Sequence, residues 1–581
     1  MYKILLAFMI TTTISFAEED IYNHSYSTYF GGNRFEQARD LEVDEDGCVY
    51  ITGGTSSPDF PVTDDAAITE YNNAGSESIG NWGPMMAFVA KFSPKGELIW
   101  STYVGGPSYD RAYAVEVDDN GYVYIGGRAG EDFPTTPGVV QEDFDGSKNW
   151  KNSLYGKQNG FVTKLSPDGS EIIWSTYYGA DSFGFFRDIA IDDEGFVYGI
   201  LNAVIGKPFG IDENSFDGTH NGKKDMVAVK FSQDASQVLW ATFIGGSDDD
   251  TGGPSIKAGP DKSVYVCGGT RSNDLPITDG AVQESYGGEG DMYVARFKPD
   301  GSDLIYCTYF GGSNTEATET HVLFVDHLGQ AYVACGTKST DVQTTPNAYK
   351  PITNTRDCLL FKLSTDGTEL LASTYFGGSE GEHPEGLFVD KNQNLYFGGE
   401  TVSTDLPVTS NAPFPTFLGE TDAYVAKLNP DFSEIDFCTY YGGSDRESVR
   451  AFSVGEDGTI YISGQSNSKD LPTSDNAFQK DAPNDETNSY LSIFSLDVES
   501  SIKSTVNNDC FSISPNPASE YIEVRQPSDS EIKIYNSFGE CVMTDVINPT
   551  ASSHRMNVSG LPAGIYLLYI EGQTEKFIKL K

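Results

Sequence analysis

The pattern G-x-S-x-G occurs once, at Gly377-Gly378-Ser379-Glu380-Gly381. In hydrolases it marks a strained strand-to-helix turn that bares a nucleophilic serine. Here the same context recurs at Gly246-Ser247, Gly312-Ser313 and Gly443-Ser444, which makes Ser379 a turn residue. There is no H-E-x-x-H, no G-x-x-x-x-G-K-[ST] and no EF-hand spacing. His24, His220, His321, His327, His383 and His554 include no pair at ligand spacing, and the eight cysteines occur singly without a C-x-x-C. No catalytic residue, metal site or cofactor is expected. The D-x-x-G turns at Asp44, Asp118, Asp192 and Asp326 offer carboxylates to structural calcium. Turn-forming Asp and positive-φ Gly account for them without an ion.

Arginine in an acidic chain offers different chemistry. Counted five positions before Asp44 and its counterparts, Arg39, Tyr113, Arg187, Pro254, His321, Glu385 and Arg450 fill one recurring column. The three arginines could grip carboxylate or sulfate groups. The alternative is pairing with Asp40, Asp188 and Glu447. Trp82 and Trp150, with Tyr71 and Tyr155, lie in two enlarged loops outside any recurring column. Flat rings on loops stack on sugars or anchor partners, or else merely pin their own loop. Trp100, Trp174 and Trp240 do recur, and read as core.

These residues sit on a repeat. The phrase TYFGG at Thr28 returns in variant form at Thr102, Thr176, Thr242, Thr308, Thr374 and Thr439. Between phrases come an alternating run such as LEVD, a D-x-x-G turn, VYITGG, a long variable loop, AFVAKF, a short turn and LIWSTY. Each run is short, β-branched or aromatic, and bounded by turn residues, so one unit is a four-stranded antiparallel sheet. Such a sheet cannot bury both faces alone, and units stacked around an axis solve the problem. The sequence predicts an all-β chain: a seven-bladed β-propeller followed by a small C-terminal β-sandwich. It enters on a TY-GG strand, residues 24–30, and leaves on a third strand, so the first strand must complete the last blade. In a four-stranded meander every long loop then falls on one face, which is the expected binding face.

The phrases, with Asp59-Phe60-Pro61, Asp132-Phe133-Pro134, Asp274-Leu275-Pro276, Asp405-Leu406-Pro407 and Asp470-Leu471-Pro472, resemble the SBBP repeats of bacterial β-propellers. Lys207-Pro208-Phe209 and Asp341-Val342-Gln343 depart from that pattern. After a linker, 499–510, the segments FSISPNP, YIEV, IKIYNSFGECV, LPAGIYLLYI and KFIKLK resemble the type A sorting domain of the Bacteroidetes type IX secretion system. The motif positions are Pro515, Asn516, Pro517, Gly539, Leu561, Pro562, Gly564, Tyr566 and Lys579. The resemblance implies export by the type IX machinery, with the mature protein released or attached to surface polysaccharide. Domain boundaries follow: a signal peptide at 1–17, the propeller at 24–498 and the sorting domain at 511–581.

A net charge of −47, from 85 acidic and 38 basic side chains, excludes nucleic acid as a partner and disfavours anionic membranes. Lys3, the apolar run to Ile14 and Ser15-Phe16-Ala17 read as a cleaved signal peptide. No later stretch is long and apolar enough for a transmembrane segment. Cys307 and Cys438 stand where other units have Ser or Ala, so buried thiols are expected and not a disulfide framework. The expected function is a secreted or cell-surface binding or scaffold protein whose ligand is a glycan or other surface component. The rival is an extracellular polysaccharide lyase or hydrolase, which needs a carboxylate pair or a Tyr/His/Arg cluster at the channel mouth.

Overall fold

The computed structural model describes residues 20–72, 85–146, 157–179, 183–317 and 321–497, and, in a second unit, 512–514, 518, 520–525, 531–536, 541–546, 553–562, 564–570 and 573–579. Alternating β-branched and aromatic residues between turns produce strands, and no helix, among the described residues. The first unit, Met1–Asp497, contains seven antiparallel sheets. In blade one Glu36–Val43, Val49–Thr55, Met86–Phe92 and Leu98–Val104 pair in chain order. Arg111–Val117, Phe183–Ile191, Gly252–Ala258, Glu382–Val389 and Glu447–Val454 open blades two, three, four, six and seven. In blade five this strand is split into Glu316–Ala317 and Leu323–Val325. The first strands pack one against the next, and that of blade seven packs back against that of blade one. They therefore line the axis.

As the repeat register predicts, Tyr22–Phe30 pairs with Asn488–Leu496 and supplies the fourth strand of blade seven. The closure covers two sheet edges that would otherwise be open to pairing with other chains.

The repeat phrase is explained by a clasp. The tyrosine of each TY-GG strand reaches its own blade's long loop: Tyr309 Oη donates to the Ser272 carbonyl (2.9 Å) and accepts from the Leu275 N–H (3.0 Å). Tyr375 and Tyr440 do the same with Ser339 and Val342, and with Ser403 and Leu406. The glycines then meet the next blade. A Cβ on Gly246 would lie 2.4 Å from Asp274 Oδ1 and 2.6 Å from Ser272 Cβ. Asp274 in turn accepts the Ser247 N–H at 2.8 Å. Ser379 makes the same contact, its N–H and hydroxyl both donating to Asp405, so it holds the repeat's turn.

The recurring lysines of the third strand also have structural work. Lys91, Lys164 and Lys230 lie over the rings of Tyr50, Tyr124 and Tyr198 and within 3.6 Å of Asp44, Asp118 and Asp192. Those aspartates close the D-x-x-G turns by accepting backbone N–H groups, as Asp44 does from Cys48 at 2.8 Å. Seven cysteines are unpaired among the described residues, and Cys307 and Cys438 are buried in the column expected.

The second unit, Val498–Lys581, has two sheets. One joins Ser512–Ser514, Tyr521–Arg525 and Ser553–Asn557, and the other joins Cys541–Val546, Glu531–Asn536, Gly564–Ile570 and Gln573–Lys579. Ile522, Val524 and Met556 of the first share a core with Ile532, Ile534, Leu568 and Phe577 of the second, which makes a sandwich. Tyr566 stacks on Phe577 and donates to the Pro562 carbonyl at 2.9 Å, fixing the turn around Leu561. Lys579 is buried and bridges Ala518, while Pro515, Asn516, Pro517 and Gly539 lie outside the described residues.

Candidate functional site

The heterogeneous column coincides with a break in each ladder. Pairing of the first strand with the second shifts between Ala38 and Asp40, Ala112 and Ala114, Phe186 and Asp188, Pro384 and Gly386, and Val449 and Ala451. Arg39, Tyr113, Arg187, Glu385 and Arg450 are the extra residues of these β-bulges. In blade four the gap spans Pro254, and in blade five His321 sits between the two short strands with a φ of 62°. A bulge frees its residue from the ladder and re-aims the side chain. Arg39 and Arg187, each 74 positions from Tyr113 in the repeat, can then meet it around the axis.

They meet on Tyr113. The guanidiniums of Arg39 and Arg187 lie 5.4 and 4.9 Å from its ring centre. Two residues outside the column join them: Arg111 at 4.6 Å and Arg128 at 5.3 Å. Arg111 donates to Gln37 Oε1 at 2.6 Å and to the Tyr113 hydroxyl. Phe185 stacks on Tyr113 at 5.5 Å, and the Arg128 guanidinium lies 3.9 Å from the Phe185 ring centre. Burial alone would raise the phenol, but Arg111, Arg128, Arg187 and Arg39 outweigh it and hold it at about 7. Burial and the neighbouring charges of Arg111 and Arg450 pull Arg39 down to about 9.

The rest of the ring is balanced differently. Arg450 Nη1 lies 2.5 Å from Glu385, which also has His383 Nδ1 at 3.7 Å. His321 Nε2 bonds the Tyr113 carbonyl at 2.8 Å, so that nitrogen carries the proton. Burial, then Lys257, pushes His321 down to about 3. The carboxylates beside the arginines also have other partners: Asp40 accepts the Val115 N–H at 2.8 Å, Asp188 the Ile256 N–H at 3.0 Å, and Glu447 the Gly443 N–H at 2.8 Å, while His321 Nδ1 lies 3.5 Å from Asp188 and 3.7 Å from Asp40. They stitch one blade to another or cap a turn. Lys257 pairs with Glu116 at 2.9 Å, each three residues after its strand's column position.

The ladder fixes which mouth this is. Arg111 is paired directly with Arg128, and Ala129 ends the strand that leads into blade two's long loop. The arginines and the long loops therefore share one face. Tyr71, half-buried, packs edge-on against Tyr103 at 5.7 Å, while Trp82, Trp150 and Tyr155 lie outside the described residues. Sequence reasoning missed Arg111 and Arg128. The signal was present: Arg128 and its partner stand where blade one has Gly54 and Gln37, and where blade four has Gly269 and Gly252.

Two family models match. Residues 512–580 match the secretion system C-terminal sorting domain and residues 99–134 match the beta-propeller repeat. The chain carries an SBBP β-propeller repeat and a type IX C-terminal sorting domain. Secretion or display at the cell surface follows from that domain. Among curated proteins, the regulatory protein FlaEY of Caulobacter vibrioides is 25% identical over 305 residues, half of this chain but only 29% of FlaEY. Solved propellers resemble the fold at low identity. The WD40 propeller domain of Doa1 is 10% identical, covering 82% of this chain and 97% of that one at a TM-score of 0.36. An ulvan lyase bound to GlcA(1-4)Rha3S is 11% identical, covering 75% and 92% at 0.41. BamB from Moraxella catarrhalis is 10% identical, covering 82% and 100% at 0.33.

Proposed function

We propose that the exported protein is a surface or secreted binding protein for an anionic glycan, held at the loop-face mouth of the propeller channel. The observation that carries this reading is the convergence of Arg39, Arg111, Arg128 and Arg187 on Tyr113 in an otherwise acidic molecule. Guanidiniums in low dielectric favour carboxylate and sulfate, which they bind through paired N–H groups. Trp82, Trp150 and Tyr155, aromatic residues of the two enlarged loop segments, would stack on the sugar rings. The signal peptide at 1–17 delivers the chain to the periplasm, and the sorting domain then carries it outward.

A second reading is favoured by one observation. Tyr113 is a phenol of lowered pKa among arginines and beside His321, the kind of cluster an eliminating lyase uses. One experiment separates the two. Purified propeller is presented with uronate-rich, sulfated and neutral polysaccharides, and both retention and product release are measured. Retention of anionic glycans without new chain ends is expected. Turnover lost in Tyr113→Phe would establish the lyase, and equal retention of neutral glycans would remove the anionic reading.

A further inference from the structure

We infer that blade two carries a built oxyanion subsite, formed by Arg39, Arg111 and Arg128 around Tyr113, that takes one carboxylate or sulfate group presented end-on. It rests on the anionic-ligand reading above and narrows it from a polymer to a chain end, a charged branch or a free acidic sugar.

Three observations support the inference. Arg111 and Arg128 face each other across the ladder, where like charges oppose each other and an anion between them is favoured. Neither is required by the fold, because blades one and four build the same sheet with Gln37 and Gly54, and with Gly252 and Gly269, at the matching pair. Arg39 is 9% exposed, and its Nε is buried without a hydrogen-bond partner among the described residues. A buried unsatisfied donor of this kind costs stability unless a ligand or ion completes it.

Burial sets the shape of the ligand. Arg111 and Arg128 are 5% and 4% exposed and Tyr113 is fully buried. The middle of a polymer laid across the mouth could not bring its charge so deep. A single group entering along the channel could. Carboxylate and sulfate share the chemistry of two or more oxygens spaced for guanidinium forks.

The test uses the full propeller and the variant R111Q/R128G, which copies blade one's pair and so should fold. Sodium sulfate, a uronic acid monosaccharide and a polyuronate are titrated against a sodium chloride control of equal ionic strength, read by calorimetry and by Tm. Saturable binding of sulfate or the monosaccharide, at least tenfold weaker in the variant, is expected. The two small ligands tell which oxyanion is preferred. Should neither shift the wild type beyond chloride, or should both proteins respond alike, the subsite does not exist. If only the polymer binds, and equally to both proteins, the subsite falls while the glycan reading stands. If the small ligands bind through the subsite and no polymer is retained, the subsite stands and the glycan reading falls.

Discussion

The Tyr29 hydroxyl accepts the backbone N–H of Leu471 at 3.1 Å, although the two residues lie 442 positions apart. The same hydroxyl donates to the Ser468 carbonyl at 2.8 Å. It repeats at the ends of the chain the clasp that Tyr309 makes within blade four. Deleting residues 24–30 removes this clasp and most of the outer strand of blade seven, so the melting transition should fall and broaden. Tyr29→Phe alone should cost about 1–3 kcal/mol by leaving a buried N–H and carbonyl unpaired. Deleting 511–581 should leave the propeller transition unchanged. A silent strand deletion in calorimetry would rule out closure by strand exchange.

On that strand, His24 sits among Phe414, Phe494 and Tyr441 at 4.9, 5.4 and 5.7 Å, with Nε2 bonded to Ser492 Oγ. Burial pulls it down to about 4 from an ordinary 6.5. The unfolded chain therefore binds this proton first as pH falls. Stability should be lost between about pH 6.5 and 4, by about 2–3 kcal/mol. His24→Leu should flatten that part of the stability profile. Parallel profiles for the two proteins in denaturant titrations would show that another group governs the acid limb.

Export divides the chain's two units by role. In the native host, removing 511–581 should trap folded propeller in the periplasm while leader cleavage proceeds. Equal amounts of propeller outside the cell, by immunoblot of fractions, would contradict sorting by this domain.

The fold was legible because the clasp writes itself into sequence twice. Several TY-GG phrases need glycine where, as at Gly443, a Cβ would lie 2.6 Å from Asp470 Oδ1, and the D-x-P loops with Asp59, Asp274, Asp405 and Asp470 supply that aspartate. The site was only half legible. Its column could be aligned because the bulge falls at a fixed distance from the D-x-x-G turn. Its partners could not, since Arg39 meets Tyr113 of the next blade and Arg450 meets Glu385 of the one before. Sequence neighbours were poor guides for a physical reason: the bulge re-aims its own residue while Asp40 and Glu447 stay in the ladder. Asp40 and Glu447 accordingly serve Val115 and Gly443.

Tyr113 gives the site its own spectroscopic report. Among the described tyrosines with a displaced pKa it is the one displaced downward, to about 7, because four guanidiniums surround it. Tyrosinate absorption should therefore rise by one residue's worth around neutral pH, well before the unfolded-like range near 10. The sign of the stability effect follows. The folded protein releases this proton first, so the wild type should gain on Tyr113→Phe between about pH 7 and 10, by about 3–4 kcal/mol at the upper end. R111Q/R128G removes two of the four charges and should move the step back toward alkaline pH. An oxyanion held between the arginines should do the same without any mutation, since it adds negative charge beside the phenol. A wild type with no step below pH 9 would mean that the guanidiniums are neutralised from within the protein, and that Tyr113 is an ordinary buried phenol.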